Sequence, residues 1–227
     1  MTHRLSRKIP ASLLLGLAAC TSPPHSGYQA VLVEVPRPNG LSDTELDTGF
    51  RQAIPIYEKV PGLLRKYFVR SQVSFGGVYL WADRASADAF YSAAWSERIA
   101  KTYGAPAKLT WFDVPVTTAG GSGGEAGSDA VVAIVKVPAP WYAPRSTINK
   151  RMAEAVPVFA KQPGLDFKYF TIANKKLVGG IYLWTDRASA DAFYNADWHA
   201  AIKQKYGKPA AVEMFDAPVQ ITQPGGQ

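Results

Sequence analysis

Apolar side chains alternate most clearly at residues 76–82, and the same pattern returns at 179–185. In the first stretch Val78, Leu80 and Ala82 fall on one face of an extended chain, while Tyr79 and Trp81 fall on the other. Ile181, Leu183 and Thr185 alternate with Tyr182 and Trp184 in the second. Both faces are largely apolar, so each strand has to be covered on two sides. A helix can cover one face and a second sheet the other. Each stretch runs into Asp-Arg-Ala-Ser-Ala-Asp. This is a helix start in which Asp83 or Ser86 can accept unpaired backbone N–H groups and Asp88 suits the positive helix end. Residues 76–91 (GGVYLWADRASADAFY) and 179–194 (GGIYLWTDRASADAFY) agree at 14 of 16 positions. Agreement of that length marks an internal duplication.

The rest of the chain fits two copies of one unit. Residues 30–36 (AVLVEVP) read as a strand that Pro36 stops. Ser42-Asp43-Thr44-Glu45 has the form of a capping box, predicting a helix through Phe50, Ile54 and Tyr57 with a kink at Pro55. Residues 63–69 (LLRKYFV) predict a second strand, and the duplicated stretch a third. A single second helix is expected to run to about Tyr103, stopped by Gly104 and Pro106. Residues 109–116 (LTWFDVPV) predict a fourth strand. The second copy follows the same β-α-β-β-α-β order, with strands at 131–138, 167–172 and 212–219 and a helix near 146–160. The predicted units are 28–117 and 130–220. They are joined by a flexible glycine-rich linker at 118–129, and a disordered tail follows at 221–227. The offset between copies rises from 102 to 103 across the turn near residues 71–75, where an extra residue is tolerated.

Composition and charge narrow the class. With 227 residues, 47% of them hydrophobic, the chain is long enough for two small cores. Arg4, Arg7 and Lys8 precede a short apolar run at residues 9–19, too short to span a bilayer. The run ends in Leu17-Ala18-Ala19-Cys20, which resembles a bacterial lipobox. Residues 1–19 are therefore read as a lipoprotein signal peptide, Cys20 as the lipidated first residue and 20–27 as a tether. Cys20 is the single cysteine, so no disulfide competes for it. Acyl chains at about 0.8 kcal/mol per methylene would hold the protein stably to a bacterial membrane. Thr21 lacks the retention aspartate of inner-membrane lipoproteins, which predicts the periplasmic side of the outer membrane. The three leader cations reduce the formal charge of +7 to +4 on the mature chain, with no basic cluster, so nucleic acid is not an expected partner.

The β-α-β-β-α-β order is the ferredoxin-like split motif. Pro-Gly-Leu-x-x-Lys-Tyr occurs at 61–67, and its counterpart 163–169 reads Pro-Gly-Leu-Asp-Phe-Lys-Tyr. Together with Gly-Gly-x-Tyr-Leu-Trp and Tyr-Gly-x-Pro, these runs resemble the YdhR-like monooxygenases of the dimeric α+β-barrel superfamily. The likeness covers nearly all of both copies. It implies that the two repeats pair their sheets as a barrel within one chain, a pseudo-dimer in a monomer. It also implies a monooxygenase-like activity without a cofactor.

Residues kept in both copies are candidates for chemistry. Tyr91 and Trp95, like Tyr194 and Trp198, are expected as i,i+4 neighbours walling a flat pocket for a small phenol- or quinone-type molecule. The same rings can equally be core filling. Lys66 and Lys168 are candidate positive charges, or else strand residues facing solvent. Asp83 and Asp186 read as caps. His199 has no counterpart in the first copy, where Ser96 stands. With Asn195 it predicts a better-equipped site in the second copy, in which His199, Tyr194 and Lys168 are the candidate catalytic groups. No metal-ligand cluster, phosphate loop, nucleophile elbow or dinucleotide fingerprint is present in the sequence. Two functions stay open: an oxygenase acting on a small aromatic molecule, and a membrane-anchored barrel that binds a ligand or is purely structural.

Overall fold

The computed structural model describes residues 27–122, 126–139, 142–174 and 177–226. The signal segment, Cys20 and residues 21–26 of the tether lie outside the described residues, as do 123–125 of the linker. The first half contains β1 (Tyr28–Pro36), α1 (Asp43–Tyr57), β2 (Leu63–Arg70), β3 (Ser74–Trp81), α2 (Arg84–Phe90), α3 (Ala93–Tyr103) and β4 (Lys108–Ala119). The second half repeats it as β5 (Val131–Pro138), α4 (Arg145–Phe159), β6 (Leu165–Ala173), β7 (Leu177–Trp184), α5 (Arg187–Phe193), α6 (Ala196–Tyr206) and β8 (Ala211–Thr222). The strands close into one antiparallel barrel in the order β1-β3-β2-β8-β5-β7-β6-β4.

Closure is the work of the fourth strands. β4 pairs first with β1, from Tyr28↔Val114 to Glu34↔Lys108, and then shifts register to pair Val116–Ala119 with β6. β8 likewise pairs Ala211–Asp216 with β5 and then runs on beside β2. The duplicated aspartates stand where these strands cross over. Asp113 holds Arg145 at 2.8 Å and Asp216 holds Arg70 at 2.6 Å, so in each case the arginine belongs to the opposite half. Both aspartates are partly exposed, so these ion pairs set orientation more than stability.

The alternation read from the sequence maps directly onto the two sides of the barrel wall. Val78 and Leu80 point into the barrel with Leu32, Val69, Phe112, Ile134, Ile181 and Phe215. Tyr79 and Trp81 point outward under the helices. Tyr67 and Tyr169, the duplicated tyrosines, stack across the interior with ring centroids 5.9 Å apart and planes 9° from parallel. A barrel of eight strands leaves an interior that side chains of this size can fill.

Several local expectations hold and others need correcting. The capping box at Ser42 and Glu45 forms, with both reciprocal bonds present. Gly104 stops α3 at φ 73°, a conformation that a side chain would strain. The expected single second helix is instead broken. Tyr91 leaves the helix, and Ser92 starts a new one by accepting the Trp95 backbone N–H at 3.3 Å. The glycine-rich ends are also more ordered than expected. The backbone N–H of Gly120 donates to Asp166 O at 2.8 Å and that of Gln223 to Leu64 O at 2.8 Å. The residues taken for the start of a flexible linker and a disordered tail therefore dock against β6 and β2.

Candidate functional site

Lys66 lies on β2 between Arg65 and Tyr67, both of which belong to the barrel-interior side. The strand alternation sends Lys66 and Phe68 to the opposite side, beneath α1. The expectation that Lys66 and Lys168 face solvent is therefore wrong, since each is only 2% exposed. The reason is tertiary: the helix crossing the outer face brings an aromatic residue, Tyr57 or Phe159, over the amine. Lys66 Nζ lies 3.1 Å from the Tyr57 ring centroid, 3.7 Å from that of Phe68 and 4.5 Å from that of Tyr79. Lys168 Nζ lies 3.0 Å from Phe159, 3.9 Å from Phe170 and 4.4 Å from Tyr182.

The duplicated Gly-Gly pair makes room for this arrangement. A Cβ on Gly76 would stand 2.1 Å from Val33 O, and one on Gly179 1.9 Å from Val135 O, so these glycines let β1 and β5 approach. A Cβ on Gly77 would meet Tyr79 Cε2 at 2.9 Å and Lys66 Cε at 3.1 Å; Gly180 stands in the same relation to Tyr182 and Lys168. Gly77→Ala should cost about 1–3 kcal/mol by overpacking. Gly76→Ala should cost more, because the obstructing atom is backbone. Urea unfolding of the two variants checks this order, and equal midpoints would contradict it.

In the first half the amine forms part of a cleft of about 280 Å³ between the outer face of β1–β3 and helices α1 and α3. Val33, Phe50, Phe68, Phe75 and Ile99 give it apolar walls, Trp95 and Tyr103 add aromatic ones, and Glu45 is the carboxylate among its lining residues. Lys66 donates to Tyr79 Oη at 2.8 Å, and Tyr79 Oη donates to Tyr57 Oη at 3.4 Å. Burial pushes the Lys66 ammonium well below the usual lysine range and the Tyr79 hydroxyl well above the usual phenol range. Burial likewise lowers Lys168 well below the lysine range. Burial thus disfavours the charged form of both the amine and the adjacent hydroxyl.

The predicted aromatic residues fall in two layers. Trp95 lines the cleft, and Tyr91 lies behind it with the two rings edge to face at 5.0 Å. The helix break folds Tyr91 back onto Tyr79 and Trp81 at 5.7 and 5.6 Å. Its hydroxyl is buried beside the Trp81 indole N–H, near enough to offset part of the upward shift but outside hydrogen-bond geometry. Tyr194 and Trp198 repeat this packing at 4.9 Å, and burial pushes the Tyr194 hydroxyl well above the usual range. Asn195 is the N-cap of α6: its Oδ1 accepts from the Trp198 N–H and its Nδ2 donates to Ala192 O, each at 2.9 Å. It thus does for α6 what Ser92 does for α3. His199 is exposed, with its ring 4.9 Å from Trp198. Asp83 and Asp186 are the N-caps of α2 and α5. Among the described residues no group of three or more His, Cys, Asp or Glu could hold a metal ion.

Lys66 and Tyr57 are the site residues that sequence reading undervalued. The available signal was a Lys-Tyr-Phe run kept in both copies, whose lysine stands directly across from Tyr79 or Tyr182 of the duplicated strand.

Residues 134–223, nearly the whole of the second repeat, match the family model described as "Putative mono-oxygenase ydhR". The second repeat is thus similar to that family over nearly its whole length. The first repeat shares its signature run at 14 of 16 positions. The fold of the whole chain is similar to that of a monooxygenase-named protein from Fusobacterium nucleatum. The TM-score is 0.64 at 9% identity, covering 87% of this chain and 95% of that one. A second, from Lactobacillus acidophilus, gives 0.58 at 12% identity over 87% and 97%. An anthrone oxidase-like protein gives 0.54 at 10% identity over 87% and 93%. No curated protein matches the chain. These likenesses show the fold: two ferredoxin-like repeats that close, in one chain, into an α+β barrel.

Proposed function

We propose that the chain is a cofactor-independent monooxygenase-like lipoprotein that takes a small phenol- or quinone-type molecule in the first-half cleft. The observation that carries this reading is the buried amine of Lys66, hydrogen-bonded to Tyr79 at 2.8 Å among aromatic walls. A neutral amine there can accept the proton of a bound phenol that is more acidic than Tyr79 and remain as the counter-ion of the phenolate, so one group serves as base and oxyanion partner. The phenolate is the electron source. Its para carbon bonds to dioxygen, the peroxide takes a proton, and loss of water leaves a carbonyl, so phenol plus dioxygen gives quinone plus water. Trp95 and the apolar wall offer surfaces against which the ring can pack, with Tyr103 at the exposed side. Lys168 has the same cage but with Phe159 in place of Tyr57, which supports unequal sites with the first half the better equipped.

Oxygen consumption with a panel of phenols and hydroquinones tests the reading. Wild-type turnover that Lys66→Met abolishes is the expected result. Binding without oxygen uptake would favour the alternative, a membrane-anchored ligand-binding barrel. Neither binding nor uptake would leave only a structural role.

The anchor is a separate part of the proposal and rests on Leu17-Ala18-Ala19-Cys20. Lipidation of Cys20 would place the barrel on the periplasmic side of the outer membrane. No helix among the described residues is long and apolar enough to cross a membrane. Cys20→Ser should shift the protein from the membrane to the soluble fraction. A wild-type chain recovered soluble with an unmodified N-terminus would contradict the anchor and leave the cleft chemistry untouched.

A further inference from the structure

A buried lysine that serves only as a counter-ion would be expected beside a carboxylate, and Lys66 is not. Its hydrogen bond goes to a phenol hydroxyl, and the rings of Tyr57, Phe68 and Tyr79 surround the nitrogen. Among the described residues none of the ion pairs includes it, whereas Lys108 and Lys136 each hold a glutamate. We infer that Lys66 is a carbonyl-capturing amine, and that a small aromatic aldehyde or ketone entering the first-half cleft forms a Schiff base with its Nζ.

The chemistry needs three things, and the cleft has each. The first is a free lone pair, which burial supplies by disfavouring the ammonium. The second is an apolar cleft beside the amine that can take a small planar carbonyl compound. Here Phe68, Phe75 and Trp95 line it together with Lys66 itself. The third is a proton source for the carbonyl oxygen. Tyr79 Oη stands 2.8 Å from the amine and is linked at 3.4 Å to Tyr57 Oη, a chain of two hydroxyls that can deliver a proton and recover one. In the step itself the Nζ lone pair bonds to the carbonyl carbon, and the oxygen takes a proton from Tyr79. The nitrogen then loses its two protons as the hydroxyl leaves as water. Amine plus carbonyl gives imine plus water, with no change of oxidation state. Lys168 has the aromatic cage, but Phe159 removes the second hydroxyl, so its capture should be slower.

The inference rests on the preceding reading only in taking the cleft as open to a small planar molecule; it needs neither dioxygen nor turnover. The test uses wild-type protein with 4-hydroxybenzaldehyde and cyanoborohydride at neutral pH, followed by peptide mapping. The hydride fixes any imine as a secondary amine of defined added mass. Lys66 should be labelled on the order of ten-fold faster than exposed Lys108, because exposed lysines are protonated at this pH. An excess of 4-methylphenol, which has the same ring but no carbonyl, should slow the labelling of Lys66 and leave Lys108 unchanged. Lys66 left unlabelled, labelled no faster than Lys108, or unprotected by 4-methylphenol that calorimetry shows to bind, would overturn the inference. Calorimetric binding of 4-methylphenol separates the two claims. Binding without Lys66 labelling sinks the Schiff base alone, and labelling without phenol binding sinks the phenol reading alone.

Discussion

Lys66→Met is expected to abolish binding of a small phenol and, at neutral pH, to make the protein more stable. The two effects share one cause. Lys66 is nearly without exposure, and burial disfavours its charged form with no carboxylate to compensate. In the unfolded chain the amine returns to the ordinary lysine pKa of about 10.4. Between the lowered folded value and that ordinary value, the unfolded state binds more protons than the folded state. Stability therefore rises with pH across this window and levels off above it. Methionine fills a similar volume with no charge to desolvate, so the variant should lose that slope and gain at neutral pH. At this chain length each kcal/mol gained raises the melting temperature by roughly 2–4 °C. Urea unfolding at neutral pH and again near the ordinary lysine pKa measures both. A variant that is less stable at neutral pH, with the slope unchanged, would mean that the rings hold Lys66 as a cation. A residue that costs stability and carries binding is a common signature of a functional site.

Either half expressed alone should fail to persist as a folded monomer, an effect larger than that of any point change. In the first half Leu32, Tyr67, Val69, Val78, Leu80 and Phe112 face the barrel interior and are buried there against the second half. Exposing the larger of these costs about 1.5–3 kcal/mol each. Their sum rivals the roughly 5–15 kcal/mol that holds a typical domain folded. The half would also lose the ladders from β2 to β8 and from β4 to β6. Two copies of residues 27–122 can restore both losses, with each β4 running on beside the other's β2. Light scattering after size exclusion should therefore show a dimer. A soluble, cooperatively folded monomer would contradict the closed barrel.

The parts of this fold that depend on period alone were legible in the chain. Alternation placed Val78 and Leu80 on one side of the wall and Tyr79 and Trp81 on the other, and duplication supplied the second sheet. The capping box at Ser42 and the stop at Gly104 follow from local chemistry and form as read. The misses are features that require a neighbour from elsewhere. The predicted fourth strand ends at Val116, yet β4 continues to Ala119 because β6 offers it a new partner after the register shift. Glycine at 120 and at 226 reads as flexibility, but each is also the residue that close approach requires. A Cβ there would stand 2.0 Å from Leu165 O or 2.4 Å from Leu64 O. Lys66 reads as a surface charge until α1 is laid over it. Ser92 and Asn195 look like divergence between the copies, but both side chains cap the following helix. Helix capping leaves room for either residue, so that difference says little about chemistry.

The claim on which the proposed function depends is that Lys66 takes the proton of a bound phenol. 4-Nitrophenol reports it directly, because its anion absorbs visible light and its neutral form does not. Titrated with protein at a pH below its own pKa, the probe should develop the phenolate band in proportion to cleft occupancy. With Lys66→Met the band should be absent, and with Lys168→Met it should be retained. A probe that binds without ionising, or that ionises equally with Lys66→Met, would contradict the assignment of Lys66 as base.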